Sequence, residues 1–211
     1  MAAPVSLPQP TTRVLLLETD LDHDLASQRS QIPFLREFMR HFPGVELIAK
    51  EVHTREGLVK FLNIARGDPL IKMLHVVAHG SAAEDATSIV LTGEEHIDLR
   101  VRANLNLFRR LHTDAIMLSS CLVGQDGDLM GKMVKTSGAS AVFCYSREID
   151  DWQAFIIETL LYHLAFGVQP GRRPLMWREI YERLKHSIAS LRIDPRPEAL
   201  ADPLLVAAFG T

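Results

Sequence analysis

Two apolar runs of the sequence end in side chains that could act together in covalent chemistry. The run at 73–80, "MLHVVAHG", ends in His79 and Gly80. The run at 115–121, "AIMLSSC", ends in two serines and Cys121. A thiol becomes a strong nucleophile when it loses its proton, and a nearby imidazole can accept that proton. The two run ends therefore predict a histidine–cysteine pair, provided that the fold makes them neighbours.

The elements that must position this pair are visible as alternating patterns. Short apolar runs predict strands at 13–19, 45–52, 71–80, 115–121 and 141–146. Helical spacing of apolar residues predicts helices at 32–42, 54–67, 98–112, 127–138, 151–167 and 174–191, and a short last helix at 197–210. A glycine-containing turn within 88–99 predicts a small hairpin. Alternating strands and helices are typical of an α/β fold with a parallel sheet covered on both faces.

The order of elements predicts where the reactive residues meet. In an open α/β sheet, ligands and catalytic groups gather beyond the carboxyl ends of the strands. Neighbouring strands lie about 4.8 Å apart, so residues just past their ends can approach each other. Gly80 has no Cβ to shield its N–H, and the N–H of Cys121 lies at a turn into a helix. These two N–H groups could together hold an oxyanion.

Composition excludes several classes of protein. The chain has 211 residues, 47% of them apolar and 23% charged, as expected of a single globular domain over 13–211 after a loose leader at 1–12. The net charge of −3 gives no general attraction to nucleic acid. No apolar run approaches the roughly 20 residues that span a bilayer. Two cysteines in apolar surroundings, and no secretory signal, favour a cytoplasmic protein with free thiols.

Beyond these arguments, the sequence resembles the caspase-like cysteine peptidases, and among them the bacterial CHAT domain. The resemblance rests on a strand ending in His-Gly, followed later by a strand ending in two small residues and Cys, with a glycine shortly after. It extends to "SIVLTGEEHIDL", to "SGASAVFCYSREIDDWQAFIIETLLYHLAFG" and to "PLMWREIYERLK". In total it covers roughly residues 13 to 191.

The resemblance implies a particular architecture and site. The fold would be a three-layer sandwich with a mostly parallel sheet of five to six strands, in the order 2-1-3-4-5, and a helical C-terminal part. His79 would be the general base and Cys121 the nucleophile of a dyad that forms an acyl-enzyme. Gly80 and Cys121 would supply the oxyanion hole, without a metal or other cofactor. The protein would then be a cysteine endopeptidase acting on a protein partner.

The same resemblance suggests a biological setting: bacterial antiviral defence or cell death, with a gasdermin-like pore former as substrate and a sensor or activator protein as partner. No nucleic acid and no direct membrane insertion are expected. A different reading is a caspase-like scaffold or binding module that has lost catalysis. The intact pair of His79 and Cys121 favours the enzyme. No CxxC spacing supports a zinc site, and no G-x-S-x-G motif supports a hydrolase using Ser119 or Ser120.

Substrate preference has two interpretations. The loop "SREIDD" (146–151) carries both signs of charge. With Ser119, Ser146, Asp150 and Asp151 lining the S1 pocket, which holds the residue before the cut, a carboxylate would favour Arg or Lys. Alternatively, Asp151 caps the helix that begins at Trp152, and S1 is a small apolar pocket floored by Ser119, Cys144 and Ser146.

Other reactive or charged residues fit structural roles. Cys144 lies within a predicted strand and is expected in the core, and His75 is expected in the core or behind the site. The remaining basic group is expected to be a solvated helix face, formed by Arg100, Arg102, Arg109 and Arg110.

Overall fold

The computed structural model describes residues 11–19, 30–83, 86–91, 95–167 and 173–210. Its strands are β1 (Thr12–Glu18), β2 (Val45–Glu51), β3 (Ile71–Val77), β4 (His79–Ala83), β5 (Ala86–Val90), β6 (His96–Asp98), β7 (Ala115–Ser119), β8 (Ala141–Tyr145) and β9 (Leu205–Phe209). Its α-helices are α1 (Ile32–Met39), α2 (Arg55–Gly67), α3 (Arg102–Leu105), α4 (Gly127–Ser137), α5 (Asp151–Phe166) and α6 (Trp177–Ser190). Short 3₁₀ turns cover Asn106–Phe108 and Val123–Gln125.

The strands form two sheets. The large sheet has six strands in the order β2-β1-β3-β7-β8-β9. Its first five strands are parallel, and β9 runs antiparallel to β8. In chain order these parallel strands follow the predicted order 2-1-3-4-5, so the mixed α/β sandwich is confirmed. The small sheet, β4-β5-β6, is antiparallel and contains the predicted hairpin.

Two hydrophobic cores, one on each face, hold the large sheet. Alternate residues of β1 face opposite ways: Leu15 and Leu17 join the core with α2 and α4, while Val14 and Leu16 join the core with α1, α5 and α6. All four side chains are fully buried. This burial on both faces explains why the strand is a continuous apolar run.

One predicted strand is divided between the sheets. The run at 71–80 leaves the large sheet after Val77, and His79 begins β4 of the small sheet. At the junction, the N–H of Ala78 donates to the carbonyl of Ser119, the last residue of β7 (3.0 Å). The pair His79–Gly80 therefore starts a new element beside the end of β7.

The helix predicted at 98–112 is wrong over most of its length. Only α3 and the following 3₁₀ turn are helical. Beyond them, Arg110 and His112 have φ angles of 52° and 57°, which are left-handed and end any helix. The N–H of Arg110 donates to Thr136 at the end of α4 (3.1 Å). Pairing with α4 thus replaces the predicted helical bonds, and the arginines do not share one helix face.

The short helix predicted at 197–210 is also wrong, because this segment contains β9. The strand pairs with β8 from Ala141–Phe209 to Tyr145–Leu205. Without β9, the edge of β8 would leave a row of backbone N–H and C=O groups unpaired. The predicted start of a helix near Pro174 shifts as well, since α6 begins at Trp177.

The predicted leader at 1–12 lies outside the described residues except for Thr11 and Thr12, and Thr12 already pairs with Val45 in the sheet. Within the described ranges, none of the helices combines the length and apolar character needed to cross a bilayer.

Candidate active site

The candidate residues lie where β3 and β7 end side by side. The two strands are parallel, with Val77 opposite Ser119. Beyond this pair, one chain continues as Ala78, His79 and Gly80, and the other as Ser120 and Cys121. The two predicted run ends therefore leave the sheet at the same edge and next to each other.

Gly80 is in direct contact with the backbone of Cys121. A Cβ added to Gly80 would lie 2.0 Å from the carbonyl oxygen of Cys121, 2.7 Å from its backbone nitrogen and 2.5 Å from Oγ of Ser120. No side chain fits at such distances, so this approach requires glycine. His79, the preceding residue, has an exposed side chain. The structure thus brings Gly80 and the backbone of Cys121 together, with His79 next to Gly80 in the chain.

A strained turn follows Cys121. Leu122 has a φ angle of 66°, and the N–H of Val123 donates back to the carbonyl of Cys121 (2.8 Å). A Cβ on Gly124 would lie 2.4 Å from Cγ2 of Val206 and 2.9 Å from the carbonyl oxygen of Tyr145. Left-handed backbone at a leucine is costly and is retained only where surrounding contacts impose it. The turn that follows β7 is thus packed against β8 and β9.

The thiol of Cys121 is half-buried and in a negative environment. Its Sγ lies 3.9 Å from the carbonyl oxygen of Ile149. Burial raises the pKa of the thiol, and the negative charges of Glu148 and Asp151 raise it further. The free thiol therefore stays protonated at neutral pH, and its activation needs a base. Cys144, by contrast, is completely buried, and burial raises the pKa of its thiol far more.

The loop after β8 uses several of its polar groups internally. The hydroxyl of Ser146 donates to the carbonyls of Pro203 (2.8 Å) and Leu204 (3.1 Å). The guanidinium of Arg147 pairs with Asp202 (2.5 Å). Both contacts join the loop to the segment before β9. Of the predicted S1 residues, Ser146 is therefore already committed to a structural bond.

The two aspartates of this loop have different positions. Asp150, not Asp151, occupies the N-cap of α5, and its N–H donates to Oε1 of Gln153 (3.1 Å). Asp151 is the first helical residue and is exposed. Together with Glu148 it acts electrostatically on Cys121. The capping role considered for Asp151 in the sequence therefore belongs to Asp150.

Behind the site lies a buried polar network that sequence reasoning missed. Glu158, fully buried on α5, accepts hydrogen bonds at Oε1 from the hydroxyls of Ser119 and Tyr145, the latter at 3.2 Å. Ser119, a predicted S1 residue, is nearly buried and points to Glu158. One signal was available in the sequence, because Glu158 is a lone charge in the apolar stretch "AFIIETLLYHLAF".

His75 completes this network from β3. Its Nδ1 lies 2.5 Å from the hydroxyl of Tyr162, and its Nε2 lies 3.5 Å from Oε2 of Glu158. Neither Nε2 nor Oε2 makes a hydrogen bond within the described ranges. Burial, together with the Glu158 carboxylate, raises the pKa of both Tyr145 and Tyr162. The network therefore links β3, β7, β8 and α5 just below the site.

In the parts of the chain that the structure describes, no three or more His, Cys, Asp or Glu side chains cluster in a way that could hold a metal ion. Both cysteines are free thiols.

Comparisons with known proteins identify the fold. No protein-family profile and no curated protein sequence matches the chain. The structure is similar to the Drosophila initiator caspase Dronc, with a TM-score of 0.56 and 9% identity over 98% of this chain and 82% of that one. It is also similar to the Arg specific cysteine proteinase gingipain R, with a TM-score of 0.54 and 10% identity, over 85% of this chain but 42% of gingipain. The fold is therefore caspase-like.

Proposed function

We propose that the protein is a cysteine endopeptidase in which His79 is the general base and Cys121 is the nucleophile. The observation that carries the proposal is the contact between Gly80 and the backbone of Cys121, because His79 is the residue next to Gly80 in the chain. The two structural neighbours, a caspase and a cysteine proteinase, support the same chemistry. The strained turn at Leu122 adds support, because strain of this kind clusters at active sites.

The reaction follows from the raised pKa of the thiol. In the free enzyme the raised pKa keeps the proton on the half-buried thiol of Cys121. His79 accepts the proton as Sγ attacks the scissile carbonyl carbon. The resulting imidazolium donates this proton to the departing amine, which leaves a thioester on Cys121. Water then loses a proton to His79 and attacks the thioester carbon, the C–S bond breaks to release the new carboxyl group, and the imidazolium returns its proton to Sγ of Cys121.

The oxyanion of each tetrahedral intermediate requires donors. Within the described residues, the N–H of Cys121 donates to no backbone carbonyl, so it is free to bind an oxygen. The N–H of Gly80 is the second proposed donor, since its backbone lies against the same peptide unit. Donors of this kind are each worth about 10²–10³-fold in rate.

The charge around the thiol supports a preference for Arg or Lys before the cut. Glu148 and Asp151 place negative charge near Cys121, whereas the positive charge of Arg147 is paired with Asp202. A cationic side chain entering beside Cys121 would come close to these two carboxylates. The hydroxyls of Ser119 and Ser146 contribute less, because both already donate within the protein.

The wider setting extends this proposal. We place the protein with the bacterial CHAT-type peptidases of the cytoplasm, where a protein substrate such as a gasdermin-like pore former is cut in defence or cell death after a sensor or activator signals. The sequence motifs around His79 and Cys121 support this assignment, and the two free thiols are compatible with a reducing compartment.

One observation favours the second candidate function, a binding module without catalysis. A thiol whose pKa is raised by burial and two carboxylates is a poor nucleophile when no base assists it. If His79 does not serve Cys121, the same fold would act only as a scaffold. The two candidates differ in a single measurable property, which is peptide bond cleavage.

The test compares matched variants on a denatured proteome, with new N-termini mapped by mass spectrometry. We expect the wild type to cut, and the variants Cys121→Ala and His79→Ala to lose about 10²–10⁴-fold of the rate. The control His186→Ala changes a histidine at an exposed position of α6, and the control Cys144→Ala removes the other, completely buried thiol; neither should lose the cleavage that depends on Cys121 and His79. Cleavage that persists in Cys121→Ala would overturn the proposal, and a wild type that never cuts would favour the scaffold.

A further inference from the structure

A second concave site lies at the amino-terminal ends of the parallel strands, whereas Cys121 lies beyond their carboxyl ends. It sits between the segment after α3 and the C-terminal end of α4, close to where β7 and β8 begin. Its lining is strongly basic, and the described residues that form it include no carboxylate; the basic residues are Arg102, Arg109, Arg110, His112 and Lys135. All five side chains are exposed to solvent. The site therefore collects at least four positive charges in one cavity.

These charges are not neutralised by the protein. In the described parts of the chain, none of the five side chains forms an ion pair or a hydrogen bond, whereas Arg13, Arg147 and Arg196 elsewhere all pair with carboxylates. The C-terminus of α4 offers partial negative charge, but a helix macrodipole amounts to only about half an elementary charge. Most of the positive charge in the cavity thus remains available to a ligand.

The wall of the cavity is held in an unusual backbone shape. Arg110 and His112 both have left-handed φ angles, 52° and 57°. The N–H groups of Arg110 and Leu111 donate to the carbonyls of Thr136 and Ser137 (3.1 and 3.0 Å). From the other side, the guanidinium of Arg66 donates to the carbonyl of Arg109 (2.8 Å). Strained residues that the surroundings hold in place are frequent at ligand sites.

We propose that this cavity binds a small ligand that carries at least two phosphate groups. Guanidinium groups bind phosphate oxygens with paired hydrogen bonds, and lysine adds a point charge. Four cations exceed what one phosphate group can neutralise, so a second phosphate is needed to match them. A small ligand is favoured over a nucleic acid because the positive charge is concentrated in this cavity, whereas the whole chain carries a net charge of −3.

The test is isothermal titration of the full chain with pyrophosphate and with orthophosphate. We expect pyrophosphate to bind at least about tenfold more tightly, since it engages more of the cations. Arg109→Gln and Lys135→Gln should each weaken pyrophosphate binding by about tenfold. The control Arg36→Gln removes the same charge from an exposed position on α1 and should leave binding unchanged. Thermal melting of each variant checks that the fold is intact.

Three outcomes would overturn the proposal. The first is no binding of pyrophosphate at about 10 mM, a concentration at which even a weak specific site would fill. The second is equal weakening by Arg36→Gln, which would indicate general charge attraction. The third is tight binding of a single-stranded RNA that pyrophosphate does not displace, which would indicate a nucleic-acid surface. Because binding is measured directly, the result is independent of whether the protein is a peptidase.

Discussion

Removal of the buried carboxylate of Glu158 should lower the free energy of unfolding by an amount that can be worked out from its contacts. In Glu158→Ala, the hydroxyls of Ser119 and Tyr145 lose their acceptor while both remain buried. Each unsatisfied buried group costs about 1–3 kcal/mol. His75, 3.5 Å away, also loses the carboxylate beside it. The expected loss in free energy of unfolding is therefore about 3–5 kcal/mol, the usual range for breaking one partner out of a buried polar pair.

A conservative variant separates shape from charge. In Glu158→Gln, the amide oxygen can still accept from Ser119 and Tyr145, and the amide N–H₂ replaces the oxygen that faces Nε2 of His75. This change should cost only about 1 kcal/mol. Glu182→Ala removes a carboxylate from the exposed surface of α6 and should change the stability by less than about 0.5 kcal/mol.

Urea unfolding measures these differences through the transition midpoint, provided that the slope m is unchanged. Glu158→Leu and His75→Leu, alone and combined, complete a double-mutant cycle. The double variant should be more stable than the sum of the single changes implies, because neither residue of the Glu158–His75 pair is left buried without the other. A loss below about 1 kcal/mol for Glu158→Ala would refute the network, since every contact named above would then be worth nothing.

Three further predictions concern the site itself. Gly80→Ala should reduce peptidase activity by at least about 10²-fold, because the added Cβ would displace the peptide unit of Cys121. The control Gly131→Ala, whose Cβ meets no atom within 4 Å outside its own helix, should stabilise α4 by about 0.5–1 kcal/mol. Equal activities of the two variants would contradict the close approach of Gly80 to Cys121. The rate of alkylation of the Cys121 thiol, measured against pH, should rise only above the pH of about 8.5 at which ordinary thiols ionise, because the pKa of this thiol is raised. Asp151→Asn removes one of the negative charges that raise this pKa and should shift the rate curve to lower pH. An unchanged curve would show that Asp151 does not act on the thiol. Asp150→Ala should lower the free energy of unfolding by about 1 kcal/mol, seen as a lower melting temperature, without altering which peptide is cut. Asp151→Asn should instead weaken a preference for Arg before the cut without affecting stability. The reverse pattern would show that Asp151 is the residue that caps α5.

Much of the fold was predictable because its signals are local. The five parallel strands are apolar runs buried on both faces, as Leu15, Leu16 and Leu17 illustrate, and the helices between them carry apolar stripes. The order of these elements is enough to imply right-handed crossovers and a parallel sheet. The prediction of His79 and Cys121 as a pair rests on the same logic, because each ends an apolar run.

The errors have a common physical cause, which is that distant partners decide them. The apolar segment at 205–209 suits a helix or a strand equally, and only the open edge of β8 makes it β9. The sequence pattern predicts one helix face with Arg100, Arg102, Arg109 and Arg110. Hydrogen bonds to Thr136 and Ser137 instead turn the segment after α3 into the wall of a basic cavity.

The sequence by itself therefore determined the alternation of strands and helices and their order in the parallel sheet, and it predicted His79 and Cys121 as a reactive pair at the carboxyl ends of the strands. Only the tertiary structure decided how closely Gly80 approaches Cys121, that Asp150 rather than Asp151 caps α5, and that Glu158 joins Ser119 to His75. The physical reason is the range of the interactions involved. Periodicity and strand ends follow from neighbours in the chain. The contacts of Gly80 and Glu158 join residues that are remote in sequence, and the residue at which α5 begins depends on how the surrounding fold holds the loop before it.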